Sequence, residues 1–88
     1  MDMVNVGFGN TVVAARVVAV VAADSAPVKR LIEAAAKENR LVDATKGRKT
    51  RSVLVTDSHH VVASHLTCQK LAHKIAGGAV LEVEDSAG

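Results

Sequence analysis

The sequence contains almost no aromatic residues and almost no cysteine. Among its 88 residues there is no Trp or Tyr, a single Phe (Phe8) and a single Cys (Cys68). A lone cysteine cannot form a disulfide within the chain, which fits a reducing compartment. Proteins that bind single-stranded nucleic acid stack its bases on several aromatic side chains, so one Phe disfavours that class.

Large apolar side chains are also scarce. The chain is 49% hydrophobic, but this half is mostly Val and Ala, and small side chains bury little area each, at about 25 cal/mol per Å². A chain of this length forms one domain with a thin core. Because association buries further surface without lengthening the chain, we expect a homo-oligomer.

Signals for secretion and membrane insertion are missing as well. The first five residues lack the basic region of a signal peptide. The longest apolar run, residues 12–23, is interrupted by Arg16 and is too short to span a bilayer. We therefore expect a cytoplasmic protein with no membrane partner.

No group of residues forms a recognisable catalytic or metal-binding pattern. The four histidines and Cys68 do not follow the ligand spacing of known zinc sites. The Gly-x-x-x-x-Gly-Lys-Ser/Thr sequence of many nucleotide-hydrolysing enzymes is absent, and nothing pairs Asp43 with Asp57 as acid and base. We expect no enzymatic activity, no catalytic residue, no metal or other cofactor, and no small-molecule substrate.

What the chain does contain is a dense cationic segment, residues 43–51, here called the basic loop. Its sequence is Asp-Ala-Thr-Lys-Gly-Arg-Lys-Thr-Arg, with four cations and one carboxylate, and hence a formal charge of +3. Since the whole chain carries +2, all other residues sum to −1. Gly47 predicts a turn inside the segment, because glycine reaches backbone conformations that other residues avoid.

The basic loop carries the groups that contact nucleic-acid backbones. Arginine can fork onto phosphate or guanine, lysine acts as a point charge, and hydroxyl and amide groups donate to phosphate oxygens. Duplex DNA that is bound through its backbone requires positioned cations and no aromatics. A lone +3 loop binds weakly, so we expect a symmetric ring that repeats it around a rim. The candidate groups belong to Lys46, Arg48, Lys49, Arg51, Thr45, Thr50 and the Gly47 amide.

Hydrophobic patterning predicts five strands. The β-branched run at 11–21 indicates a strand that is either central in a sheet or has a second face that meets another subunit. Arg16 interrupts this run, so it lies near an edge, pairs with a carboxylate or points at a ligand. Two later strands form a hairpin around a turn at Asp57. The predicted strands are residues 3–6, 11–21, 41–42, 52–56 and 60–65.

Two helices are indicated by their start signals. The first begins at Asp24 or Ser25, carries Pro27 in its first turn and ends near Asn39. Its apolar positions 28, 31, 32 and 35 have helical spacing. Thr67 caps the second helix, which ends at the glycines 77–78.

The predicted element order is β-β-α-β-β-β-α. This order, with its hairpins, predicts an α+β domain over residues 1–78, built on a small, mostly antiparallel sheet with two helices. Residues 79–88 form an acidic C-terminal tail, in which a short strand precedes a frayed end.

Five motifs follow one another along the chain at tight spacing. They are Val-Gly-Phe-Gly-Asn at 6–10, Ala-Ala-Arg at 14–16, Asp-Ser-Ala-Pro-Val-Lys-Arg at 24–30, the basic loop at 43–51, and Thr-Asp-Ser-His-His-Val at 56–61. In this order they resemble the bacterial RemA family over roughly residues 4–75. Members of that family are DNA-binding transcriptional regulators of extracellular matrix (biofilm) and osmoprotection genes, and they form rings whose basic residues engage DNA.

The resemblance implies roles for particular residues. By position, Arg16, Arg48 and Lys49 would contact DNA, and Pro27 would matter for a functional helix start. The family loop reads Gly-Arg-Arg-Thr-Arg, whereas this chain has Lys49 at the second cation. The charge is kept there and the bidentate fork is lost, which favours backbone contact over sequence-specific contact at Lys49.

The sequence therefore predicts a ring-shaped homo-oligomer that binds double-stranded DNA as a cytoplasmic, nucleoid-associated transcriptional regulator. The alternative is a structural scaffold or shell subunit with no nucleic-acid partner, in which the basic loop pairs with the acidic tail of a neighbour. The residues predicted to bind DNA are Arg16, Lys46, Arg48, Lys49 and Arg51.

Overall fold

The computed structural model describes residues 2–76. The tail at 79–88 and the predicted helix end at 77–78 lie outside the described residues. Within this range no helix is long and apolar enough to cross a membrane. The elements of the described chain are β1 (Met3–Gly7), β2 (Asn10–Val13), a 3₁₀ turn (Ala14–Arg16), β3 (Val17–Ala22), α1 (Ala26–Lys37), β4 (Leu41–Asp43), β5 (Ser52–Thr56), β6 (Val61–Ser64) and α2 (Cys68–Ile75).

The strands form two sheets, where the sequence predicted one. β1 and β2 make an antiparallel hairpin, and the other strands form a sheet in the order β3-β5-β6-β4. Pairing is antiparallel for β3–β5 and β5–β6 and parallel for β4–β6. The α+β class and the mostly antiparallel pairing are thus confirmed. Because β4 and β5 lie on opposite sides of β6, the basic loop that joins them must cross the end of β6.

The prediction of one strand over residues 11–21 is wrong. This run is divided by the 3₁₀ turn, and its two halves pair with different strands, β2 with β1 and β3 with β5. The break falls at Ala14-Ala15-Arg16, where the β-branched residues stop and strand preference is lowest. The Ala14 N–H donates to the Asp2 carbonyl at 2.9 Å, which fixes the break against the start of β1.

The β3 strand is not central either. Among the described residues it pairs with a neighbour on one side alone, and none of its residues is buried. The first of the two predicted alternatives is therefore excluded, and β3 is an edge strand of the described sheet.

Apolar side chains pack on both faces of the four-stranded sheet. On one face, Ala35 of α1 packs with Val53 of β5 and Val61 of β6. On the other, Leu54 of β5 packs with Leu71 of α2 and with the β1–β2 hairpin. Neighbouring positions on a strand point to opposite faces, so β5 supplies both layers. The helical stripe predicted for α1 is confirmed.

Both helices begin at side-chain caps. The Ser25 hydroxyl accepts from the Val28 N–H at 3.4 Å, and the Thr67 hydroxyl accepts from the Lys70 N–H at 3.3 Å. Of the two predicted caps, Ser25 is the one used. Pro27 lies in the first turn of α1 as predicted, where its missing N–H leaves no hydrogen bond unmade.

Candidate nucleic-acid interface

The basic loop contains the predicted turn. Lys46 and Gly47 both have positive φ, 52° and 82°, and the Arg48 N–H donates to the Thr45 carbonyl at 3.0 Å. Two successive positive φ angles are the mark of a tight type I′ turn, in which glycine is favoured. The turn places Lys46 and Arg48 on either side of Gly47 at an exposed tip.

The base of the basic loop is fixed by Asp43. Its carboxylate accepts the Thr45 N–H at 2.9 Å and the Thr45 hydroxyl at 2.6 Å. These two bonds lower the pKa of Asp43 below its ordinary value, the hydroxyl contributing most. Thr45 is only 3% exposed. The prediction that its hydroxyl meets a phosphate is therefore wrong, because that hydroxyl is buried and donates to Asp43.

A second turn lies beside this tip. It joins β1 to β2 through Gly7, Phe8 and Gly9, which have φ of 125°, 52° and 81°. The Phe8 side chain is 45% exposed. Its ring lies 4.6 Å from the His65 ring, centroid to centroid, at an interplanar angle of 35°. His65 follows β6, so Phe8 is held over the end of the main sheet.

The two turns meet through cation–π contacts. The Lys46 Nζ lies 5.7 Å from the centroid of the Phe8 ring, and the Arg48 Cζ lies 6.0 Å from it. Such contacts are worth about 0.5–1 kcal/mol each at exposed positions. Phe8 therefore holds both cations in one arrangement. We call Phe8, Lys46, Gly47 and Arg48 the turn-tip site.

The sequence reasoning missed Phe8. It treated this residue as too few aromatics for base stacking and did not connect it with the cations. One signal was present: an aromatic between two glycines, in a turn, is poorly placed for burial. The partner of that aromatic was not readable, because 38 positions separate Phe8 from Lys46 in the chain.

The other two loop cations point elsewhere. Lys49 and Arg51 line a cleft between the starts of α1 and α2, together with Lys29. The Arg51 backbone is fixed in the sheet, since its N–H donates to Ser64 at 2.9 Å and its carbonyl accepts from Ala23 at 3.1 Å. The basic loop thus divides its charge between an exposed tip and a concave cleft.

Arg16 lies at a third place. It ends the 3₁₀ turn, its Nε–H donates to the Asp57 carboxylate at 2.7 Å, and the Asp57 N–H donates to the Arg16 carbonyl at 2.9 Å. Of the predicted alternatives, pairing with a carboxylate is the one observed. Val17 pairs with Thr56, whereas the basic loop enters β5 at Ser52.

The separation between Arg16 and the basic loop follows from this register. The length of β5, at roughly 3.4 Å per residue, puts about 14 Å between its two ends. Arg16 therefore does not lie beside the basic loop of its own subunit. The five predicted DNA-binding residues are distributed over the Asp57 turn, the turn-tip site and the cleft. Among residues 2–76, no three His, Cys, Asp or Glu side chains come together as metal ligands.

Comparison with known proteins identifies the family. A family model described as RemA-like, extracellular matrix regulatory protein A-like, matches residues 3–75. A protein of Dictyoglomus thermophilum is 54% identical over 78 residues, which are 89% of this chain and 92% of that protein. One of Alkaliphilus metalliredigens is 48% identical over 99% of this chain and 95% of its own. One of Geobacillus thermodenitrificans is 47% identical over 88% of each chain. All three bear the name "Putative regulatory protein". The chain belongs to the RemA-like family, whose members are named as regulators and not as enzymes.

Proposed function

We propose that this regulator binds duplex DNA as a ring-shaped homo-oligomer and controls transcription of extracellular matrix (biofilm) genes, including osmoprotection genes. The turn-tip site carries the proposal. It is an exposed point with two cations, held over an aromatic ring, on a chain whose residues outside the basic loop sum to −1. The resemblance to DNA-binding regulators gives the choice of nucleic acid and of target genes.

The turn-tip site has the geometry of a phosphate contact. The carboxylate of Asp43 is held by Thr45 at the loop base, which leaves the tip cationic. The guanidinium of Arg48 can fork onto two phosphate oxygens, while Lys46 adds a point charge. Because the turn and Phe8 hold both side chains in place, less conformational freedom is lost on binding.

Several tips must act together, and β3 offers a surface for assembly. Val18 on this edge strand is 68% exposed. A shallow apolar groove runs between residues 17–20 of β3 and Ala72, Ile75 and Ala76 of α2. An exposed, Val-rich edge strand readily pairs or packs with another chain. A second copy seated here would bury this surface and enlarge the thin core.

Arg16 fits the same assembly. It directly precedes β3, so a neighbour that packs along this edge comes close to it. Asp57 takes its Nε–H, and the remaining guanidinium donors can reach a phosphate. In a ring, Arg16 of each subunit would then add to the cationic surface presented by neighbouring tips. Such a DNA complex places the protein in the cytoplasm, with the nucleoid.

The test is binding of duplex DNA across a salt series, with mass measured in parallel by light scattering. The slope of log affinity against log salt is about −0.9 per phosphate contact, so two engaged tips with two cations each predict roughly −3.6. A single-stranded oligonucleotide of equal length serves as the control and is expected to bind more weakly. Affinity that does not change between about 50 and 200 mM salt, or a mass of one subunit, contradicts the proposal.

Val18→Glu is expected to break the assembly. Burying a valine contributes about 1.5–3 kcal/mol, so its replacement by a charge should weaken association by roughly ten- to hundredfold per contact, and DNA affinity should fall with it. Light scattering across a dilution series measures the change. Val42→Glu is the matched control, since Val42 is 46% exposed on β4, the opposite edge of the described sheet. If Val42→Glu dissociates the protein and Val18→Glu does not, the contact surface is β4.

Phe8→Leu tests the aromatic ring of the turn-tip site. Leucine keeps apolar volume and removes the π face that holds Lys46 and Arg48, so a loss of about 0.5–1 kcal/mol predicts roughly two- to fivefold weaker DNA binding per engaged tip. Met3→Leu, at an exposed apolar position on the same hairpin, is the control. Gel retardation at fixed salt measures both variants, and equal affinity of the two would remove Phe8 from the site.

A further inference from the structure

The cleft that contains Lys49 and Arg51 has the size of a ligand site. It encloses about 640 Å³ between the starts of the two helices, within the range of small-molecule pockets. Its walls come from four separate segments of the chain: the β3–α1 junction, α1, the basic loop and the start of α2. A concavity of this kind differs from the exposed tip at Gly47, which has open space around it.

The charge of the cleft favours an anion. Lys29, Lys49 and Arg51 contribute three positive charges and Asp24 one negative charge, so the formal balance is +2. Lys29 comes from α1 and the other two cations from the basic loop, so the fold brings them together from distant positions. The first-turn amides of α2 also border the cleft, and a helix start of this kind adds donors to the cations.

The cleft is not uniformly polar. Ala22, Ala23 and Ile32 line it as well, and these side chains provide an apolar surface next to the cations. A free inorganic anion would leave that surface uncovered. A phosphate group attached to an apolar or flat organic body would match both parts, with the phosphate at the cations and the body on Ile32.

We propose that this cleft binds a small phosphorylated organic ligand, which occupies Lys49 and Arg51 and thereby weakens the binding of duplex DNA. The first part stands on the cleft alone, and the second rests on the proposed DNA-binding function. A ligand bound there withdraws two of the four loop cations from DNA and leaves the turn-tip site in place. DNA affinity would then fall without being lost.

Calorimetric titration of the full chain tests the binding itself. The probe is adenosine 5′-monophosphate, compared with adenosine, which lacks the phosphate, and inorganic phosphate, which lacks the organic body. We expect the monophosphate to bind best and adenosine not to bind. Lys29→Gln should weaken binding of the monophosphate about tenfold, as the loss of one charge-assisted contact. Lys37→Gln, at the other end of α1, should not. Equal affinity of these two variants, or no binding of the monophosphate, overturns the inference.

Cys68 reports where the probe binds. It is the single cysteine of the chain and lines the cleft. Burial raises the pKa of its thiol, and the charge of Asp24 raises it further, so alkylation by N-ethylmaleimide will be slow and easily timed. We expect the monophosphate to slow the reaction several-fold and adenosine to leave it unchanged. An unchanged rate with bound monophosphate places the ligand elsewhere and overturns the inference.

Competition with DNA completes the test. The monophosphate should weaken duplex retardation by the wild-type protein and have much less effect on Lys29→Gln, which keeps all four loop cations. If the monophosphate protects Cys68 but DNA does not bind at all, the proposed function fails and the ligand site stands. If DNA binds with steep salt dependence and protects Cys68 while the monophosphate does not, the cleft belongs to the DNA surface and this inference fails.

Discussion

Replacing Arg48 with alanine is expected to lower the affinity for duplex DNA by at least about tenfold while the fold stays intact. A lost charge-assisted contact is worth about 1.5 kcal/mol or more, and every engaged subunit loses the same contact. The fold should tolerate the change because Arg48 is exposed. Its turn bond to Thr45 is made by the backbone N–H, which alanine keeps. The positive φ angles fall on Lys46 and Gly47 and not on Arg48.

The matched control is Arg30→Ala, which removes an equal charge from an exposed position on α1. Retardation of duplex DNA should be much weaker for Arg48→Ala than for Arg30→Ala, and circular dichroism should show the same unfolding midpoint for both. The salt slope of Arg48→Ala should also become shallower by about 0.9 for each engaged subunit. Equal loss of affinity in the two variants would mean that net charge matters and the turn-tip site does not.

The tip was predictable from sequence because its causes are local. Gly47 allows the tight turn, and the neighbouring cations are consecutive in the chain, so both follow from a few adjacent residues. The caps at Ser25 and Thr67 and the apolar stripe of α1 are predictable for the same reason, since each depends on spacings of three or four residues. Local chemistry also gave the hairpin around Asp57.

The division of the cations was not predictable, because it depends on distant pairings. Lys49 and Arg51 reach the cleft because the Arg51 backbone pairs with Ser64 and Ala23. Arg16 lies at the far end of β5 because the 3₁₀ turn interrupts the apolar run, a break that β-branched content on both sides concealed. Thr45 is a similar case. Its hydroxyl suits a phosphate by type, but Asp43 two positions earlier takes it.

This distribution gives the predicted residues different tasks. The turn-tip site can contact a surface that follows the protein exterior, as a duplex does, whereas the cleft can enclose a small group. Lys49 illustrates the consequence. The arginine typical of the resembling loop would offer a fork, and the lysine here offers a point charge within a concave site. A change at Lys49 should therefore affect ligand and DNA together, while a change at Arg48 should affect DNA alone.

Gly7→Ala is expected to have the largest effect on stability, a loss of roughly 2–4 kcal/mol. Gly7 has φ of 125°, where an L-residue costs of order 1–3 kcal/mol. An added Cβ would also lie 2.7 Å from Cε1 and Nδ1 of His65. The His65 ring packs against Phe8, and its Nδ1 is buried without a hydrogen-bond partner among the described residues. The ring must therefore move, and Phe8 with it.

Gly9→Ala separates the two causes. Gly9 has φ of 81°, and nothing lies within 4 Å of an added Cβ, so this variant has backbone strain without a clash and should lose only about 1 kcal/mol. Urea unfolding at equal protein concentration measures both variants. The double change Gly7→Ala with His65→Ala should lose less than the sum of the single changes, because the clash is gone. If the two glycine variants are equally stable, His65 does not fix the position of Phe8. The turn-tip site would then depend on the cation–π contacts alone, and Gly7→Ala would leave DNA affinity unchanged.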